Sequence, residues 1–394
     1  AAKIDRGVMI EIGEDILVYL EGEKASEGSR WAEKVIAASK HVDSSVQISA
    51  GISCFPYCDF KKSEMVLNCR KALVHASFYG ESSVAVFDAT SLNISGDVYF
   101  GEGDLTKAVR EYRRGLKCDD QDINLHNSLG VALAQMNKLS SAMKSFESAL
   151  AVDKGDFMAL YNLGLAEQAI GRPADALKHF KKALDHQETG EVEEGQVSDL
   201  KLQIGKLSCE VGMYKQAIDF LVPWSKANSS SKATGRIAYY LGMAYHGVKD
   251  NRTAMIFLQQ ALRVDEFDDR AMNLLGRIYL EEGEGDEIAL ALVQKSVELE
   301  PSSVRYRLYL AMVLLQCGLY DRAKENLYRC LRYKASKGEA RLLLAKTYLQ
   351  EGAYRRAASW FEKVVVDVTA GKKMRAEAER GLAKIQAIKK GDHA

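Results

Sequence analysis

Residues 125–153, LHNSLGVALAQMNKLSSAMKSFESALAVD, decide how this chain is read. Moved along by one period, the stretch meets LYNLGLAEQAIGRPADALKHFKKALD, residues 160–185. Gly130 then falls on Gly164, Ala142 on Ala176, Phe146 on Phe180 and Ala149 on Ala183. Upstream, Gly96, Tyr99, Ala108, Tyr112 and Gly115 take the same marks. Downstream the series runs through Gly205 with Ala217 and Leu221, Gly242 with Ala254 and Leu258, and Gly276 with Ala289 and Val293. It closes through Ala311 with Ala323 and Leu327, and Ala345 with Ala357 and Phe361. Each unit shows helical periodicity twice, broken by a turn such as QMNKL, AIGRP or QEGAY. Small residues recur where two helices must approach, and bulky ones where the gap is filled. A single unit cannot bury its own apolar face, so the units must stack.

This pattern resembles the tetratricopeptide repeat family, and about eight units fit between residues 89 and 371. The resemblance implies a mostly α fold, an α-solenoid wound as a superhelix. Residues 372–394, KKMRAEAERGLAKIQAIKKGDHA without its preceding glycine, read as a C-terminal capping helix with a polar outer face. The acidic stretch HQETGEVEEGQVSD after the third unit breaks the period, and EEGEGDE in the sixth unit lengthens a turn.

Residues 1–88 change character. IEIGEDILVYL reads as a hairpin, GEKASEGSRWAEKVIAASKHV as a helix and VQISAGISCF as a strand. KSEMVLNCRKALVHASFYG reads as a second helix and SSVAVFD as a final strand, so the segment is a small α+β unit. With QISAGISCFP, KALVHASFYG and SVAVFD it resembles the C-terminal half of a GGDEF domain, the catalytic domain of diguanylate cyclases. That resemblance implies a signature hairpin at Ile12, Gly13, Glu14, Asp15 and Ile16, and there the family pattern is degenerate. Ile12 stands where bare backbone would let a nucleotide lie close. Asp15 is one methylene short for the acid that would help hold Mg²⁺. Ser77 replaces a family lysine, Arg70 a family Asp, and Lys3-Ile4-Asp5-Arg6 ends the product-inhibition pattern with the opposite charge. The expectation is a partial, non-catalytic segment with no metal and no cofactor, able to self-associate. The alternative is a divergent cyclase, or a GTP- or cyclic-dinucleotide-sensing module, whose metal-binding acids lie upstream. Without a preceding strand and helix the sheet would be left with open edges, so the segment is expected to be completed by upstream sequence or by another chain.

Composition narrows the function classes. Lys and Arg number 54 and Asp and Glu number 54, so no basic excess favours a general nucleic-acid surface. No apolar run reaches bilayer length and no secretory pattern opens the chain, which points to a cytoplasmic protein without a membrane partner. Seven scattered cysteines read as reduced thiols; Cys54 and Cys58 have no second pair at zinc-ligand spacing. There is no phosphate-binding GxxxxGK[ST], no HExxH and no GxSxG, and the seven histidines are dispersed.

The expected function is therefore a non-catalytic protein–protein interaction scaffold. In bacterial signalling, which the GGDEF resemblance implies, it would hold a protein or peptide segment in a groove lined by the first helix of each unit. The second, fifth and ninth positions of each unit should face that groove. In the early units these include Asn93, Asn124, Asn127 and Tyr161, amide-rich and suited to peptide backbone. In the later units Arg236, Tyr239, Met243, Arg270, Asn273, Arg277 and Arg305 gather guanidinium, aromatic and thioether groups, and an acidic partner fits them. Leu308 and Leu342 fall on the same marks.

Overall fold

The computed structural model describes residues 7–12, 15–22, 24–186, 193–227, 234–283, 285–367 and 369–391. Two compact units divide the chain, Ala1–Leu200 and Lys201–Ala394.

The first unit opens with β1 (Gly7–Ile12) and β2 (Asp15–Leu20), an antiparallel hairpin in which Gly7 faces Leu20 and Ile12 faces Asp15. Gly13 and Glu14 of the signature stretch lie outside the described residues, as do the side chains of Ile12 and Asp15. Ile16 is exposed. Helix α1 (Ala25–Val42), strand β3 (Ala50–Ile52), helix α2 (Met65–Ser77) and strand β4 (Val84–Val86) follow in the expected order. The strands do not make one sheet: β3 pairs with β4 in parallel, and the hairpin pairs with itself. Gly51 fixes how closely α2 covers β3, because a Cβ there would lie 2.8 Å from the Cα of Leu73. Phe60, Ala72, Phe87 and Leu92 form a small core, with the Phe60 and Phe87 rings edge to face at 5.1 Å.

From Asp88 onward the helices come in pairs. The pairs are α3 (Ala89–Gly101) with α4 (Leu105–Cys118), α5 (Ile123–Gln135) with α6 (Leu139–Val152), and α7 (Phe157–Ala169) with α8 (Pro173–Asp185). Residues 187–192 of the acidic insertion after α8 lie outside the described residues, and its end opens the next helix at Glu194. Each first helix also touches the next, α3 with α5 and α5 with α7, which is the contact pattern of a solenoid. Asp88, Asp104, Asp122 and Asp156 cap their helices, each accepting a backbone N–H three residues on.

The α+β segment is fastened to the first helix pair. Arg114 in α4 lies 4.0 Å over the Phe60 ring and its Nη2 reaches Glu64 at 2.7 Å. Lys117 pairs with Asp59 at 2.9 Å, and Lys71 with Glu111 in a buried ion pair. Cys58 and Cys118 form a disulfide across 60 residues of sequence, with Cα atoms 5.5 Å apart. This corrects the expectation of seven reduced thiols. Cys58 sits in a loop laid over the end of α4, a proximity that spacing along the chain cannot show. Cys54, Cys69, Cys209, Cys317 and Cys330 are free.

Helix α9 (Glu194–Glu210) crosses the division, and in the second unit its Leu202 and Cys209 share a core with Ala217 and Leu221 of α10 (Tyr214–Ala227). Then come α11 (Thr234–Gly247) with α12 (Asn251–Val264), α13 (Asp269–Glu282) with α14 (Asp286–Leu299), α15 (Val304–Gln316) with α16 (Tyr320–Cys330), and α17 (Lys337–Gln350) with α18 (Tyr354–Val365). Helix α19 (Lys372–Gly391) packs on α18 and α17. The extra turn residues put Gly283 and Gly285 at φ of 69° and 80°, either side of Glu284, which lies outside the described residues.

Candidate functional site

Helices α11, α13 and α15 are successive first helices, each touching the next. Their open faces line a groove of about 870 Å³ within the second unit. Tyr239 and Met243 come from α11, Arg270, Asn273 and Arg277 from α13, and Arg305 from α15, so six of the predicted residues meet in one place. Helical geometry explains the convergence: residues seven apart return to within about 20° of one face. Arg270 and Arg277, the second and ninth positions of α13, therefore share one face.

Helix α13 sends its two arginines in opposite directions. Arg270 lies with its guanidinium 4.7 Å over the Tyr239 ring of α11. Arg277 lies 4.2 Å over the Tyr309 ring of α15. Arg305 donates from Nε to the Tyr309 hydroxyl at 3.0 Å. One tyrosine thus holds two guanidiniums, by its π face and by its oxygen. Arg270 is engaged further, pairing with Asp268, the N-cap of its own helix, at 3.1 Å. Among the described residues Arg277 and Arg305 have no carboxylate in ion-pair range. Burial pushes the Tyr239 hydroxyl up to about 12, and burial plus a hydrogen bond to Asp269 raises that of Tyr306. Both stay protonated donors. His246 at one end bonds through Nδ1 to Asn251 at 2.9 Å and faces Glu281 at 3.8 Å, so the groove carries one acid against its cations.

The fifth position divides, since Tyr239 of α11 lines the groove while its counterparts in later units turn inward. Asn273 is 3 % exposed, with its amide donating to Ser296 at 3.0 Å, and Leu308 and Leu342 are buried. A three-residue step rotates the side chain about 60° away, into the seam with the neighbouring helix. Arg236 is exposed and is not among the lining residues. Of the early residues, Asn124 is exposed, whereas Asn127 is half-buried and donates to the capping carboxylate of Asp156 at 2.9 Å. The Asn93 carbonyl oxygen is shielded, and Tyr161 stacks 6.1 Å from Phe157 and packs on Phe180. Sequence reasoning missed Tyr309 and Tyr306. The four-residue spacing of Arg305 and Tyr309 on one helix was the available signal.

The described residues contain no group of His, Cys, Asp or Glu placed to hold a metal, and no helix is long and apolar enough to cross a membrane.

Family models for the TPR repeat match residues 96–137, and models for the tetratricopeptide repeat match 127–190 and 310–372. The chain carries tetratricopeptide repeats. Its groove-lining helices α11 and α13 fall between the stretches those models match. The bovine (Bos taurus) BBSome complex member BBS4 is 28% identical over 155 residues, which is 39% of this chain and 29% of BBS4. The match therefore spans less than a third of that relative. A chain from the APC/C hetero-tetramer Cut9-Hcn1 superposes with a TM-score of 0.51 at 15% identity, over 74% of this chain and 55% of that one. It shares the fold. A tetratricopeptide repeat protein from Parabacteroides merdae gives 0.47 at 16% identity, over 66% of this chain and 98% of its own.

Proposed function

We propose that this tetratricopeptide repeat chain is a non-catalytic scaffold that captures an acidic protein segment in the groove of α11, α13 and α15. The observation that carries this reading is the arrangement at Tyr309: two guanidiniums preset by one ring, neither with a carboxylate partner among the described residues. A forked cation held in place by an aromatic ring loses little entropy on taking a carboxylate. Leu274, Met243 and Tyr239 beside it supply apolar surface for an aliphatic or aromatic anchor. The bovine relative is named as a complex member, which is in keeping with an assembly role.

Residues 1–88 contribute docking or structure, as a degenerate GGDEF-like segment in a bacterial signalling protein. The test uses fluorescein-labelled peptides rich in Glu, Asp and Leu, with Gln and Asn counterparts as controls. Polarisation should rise with the acidic peptides, and Arg277→Glu with Arg305→Glu should weaken binding by about tenfold or more. Equal affinity of the two peptide sets, or no effect of the double variant at physiological salt, would overturn the reading.

A further inference from the structure

The chain is neutral as a whole but not along its length. Residues 1–200 hold 31 acidic against 22 basic side chains, residues 201–319 hold 14 of each, and residues 320–394 hold 18 basic against 9 acidic. Net charge therefore runs from negative through zero to positive, and at two places the imbalance is concentrated on the same structural feature.

That feature is the turn joining the second helix of one repeat to the first helix of the next. In the second unit the turn before α17 carries Arg332 and Lys334, and the first residues of α17 and α19 add Lys337, Lys372 and Lys373. All five are exposed, and none forms an ion pair among the described residues. The two turns lie side by side: a Cβ on Gly338 would sit 3.3 Å from the Met374 sulfur, and Arg341 in α17 reaches Asp367 at 2.7 Å. In the first unit the turns before α5 and before α7 carry Asp119, Asp120, Asp122, Asp153 and Asp156. These turns are neighbours too, since Asn127 in α5 donates to Asp156. Their carboxylates take backbone N–H groups and amide side chains, and among the described residues no Lys or Arg neutralises them. Lys154 is the single basic side chain set among them.

We infer that the basic turns before α17 and α19 dock on the acidic turns before α5 and α7 of a second copy of the same chain. Charge complementarity is matched by spacing. Each cluster spans two successive repeats, α5 to α7 in one and α17 to α19 in the other. A patch of this sort steers association and fixes register, and salt weakens it strongly because the five cations and Asp119, Asp120 and Asp153 are exposed. This is independent of the groove reading, which uses other residues.

Sedimentation velocity on the full chain tests it. Wild type should associate with rising concentration in about 50 mM salt, with the apparent dissociation constant weakening about tenfold or more by about 500 mM. Two variants isolate the faces: Lys334→Glu, Lys337→Glu, Lys372→Glu and Lys373→Glu on one, Asp119→Lys and Asp120→Lys on the other. Each alone should sediment as a monomer. Their mixture should re-form a complex, because each retains the native half that the other lacks. Variants that associate as wild type does, or a mixture that stays monomeric, would overturn the inference. So would a wild-type chain that is monomeric at every concentration in low salt, whether or not it retards an added nucleic acid. Unchanged circular dichroism of both variants guards against misfolding, and the salt series on wild type needs no substitution.

Discussion

Replacing Gly164 with Ala tests the packing rule that repeats along this chain. Gly164 lies in the interior of α7, where alanine by itself would favour the helix by about 0.5–1 kcal/mol. The added Cβ would stand 2.6 Å from Cε1 and 2.7 Å from Cδ1 of Phe180. Carbon atoms pack at about 3.5–4.0 Å, so the ring must retreat by about 1 Å. It has nowhere to go, being fully buried with Ala176 and Ala183 against the same seam. Overpacking of this kind costs about 1–3 kcal/mol, so the steric term outweighs the propensity gain. The net expectation is a loss of about 1–2 kcal/mol. Adding Phe180→Leu should relieve the clash, leaving the double variant about 1 kcal/mol more stable than the two single changes sum to. Urea titration followed by circular dichroism gives all four corners of the cycle. A Gly164→Ala protein at least as stable as wild type, or an additive cycle, would show that close helix approach is not what the recurring glycine secures.

Two further outcomes follow from the first and last parts of the chain. Cys118→Ser should release Cys58, leaving six free thiols under denaturing, non-reducing conditions against five in wild type, and should lower stability by up to about 4 kcal/mol because a 60-residue closure is lost from the unfolded chain; seven titratable thiols in wild type would refute it. Hydrogen bonds from the Thr369 hydroxyl and backbone, with Arg341 beside them, hold Asp367 below the usual carboxylate range. A depressed native value stabilises the fold at neutral pH, and that contribution is lost as pH falls through it, so melting temperature should drop on acidification and drop less in Asp367→Asn. Identical pH profiles for the two proteins would count against the assignment.

The groove shows how far local pattern reaches. Arg270, Arg277 and Arg305 were legible because the repeat period and the helical period together fix which positions share a face. Asn273 and Leu308 were assigned to the same face, yet a 60° turn is enough to move a side chain from open groove into a helix–helix seam. Tyr309 lay between the marked positions, and its role depends on two arginines from different helices reaching one ring. The hairpin at Ile12 to Ile16 read correctly as two strands, but a single sheet joining it to β3 and β4 was not what formed; pairing between strands remote in sequence is not coded by either strand alone.

What the sequence determined unaided is the repeated helix pair, because recurring small and bulky residues record a contact between neighbours in the chain. What only the tertiary structure decided is everything that joins distant residues: the Cys58–Cys118 bridge, the buried Lys71–Glu111 pair and the ring of Tyr309 between two guanidiniums. Local contacts leave a period that can be counted. Long-range ones depend on how backbone twist brings surfaces together, and a one-dimensional pattern holds no record of that.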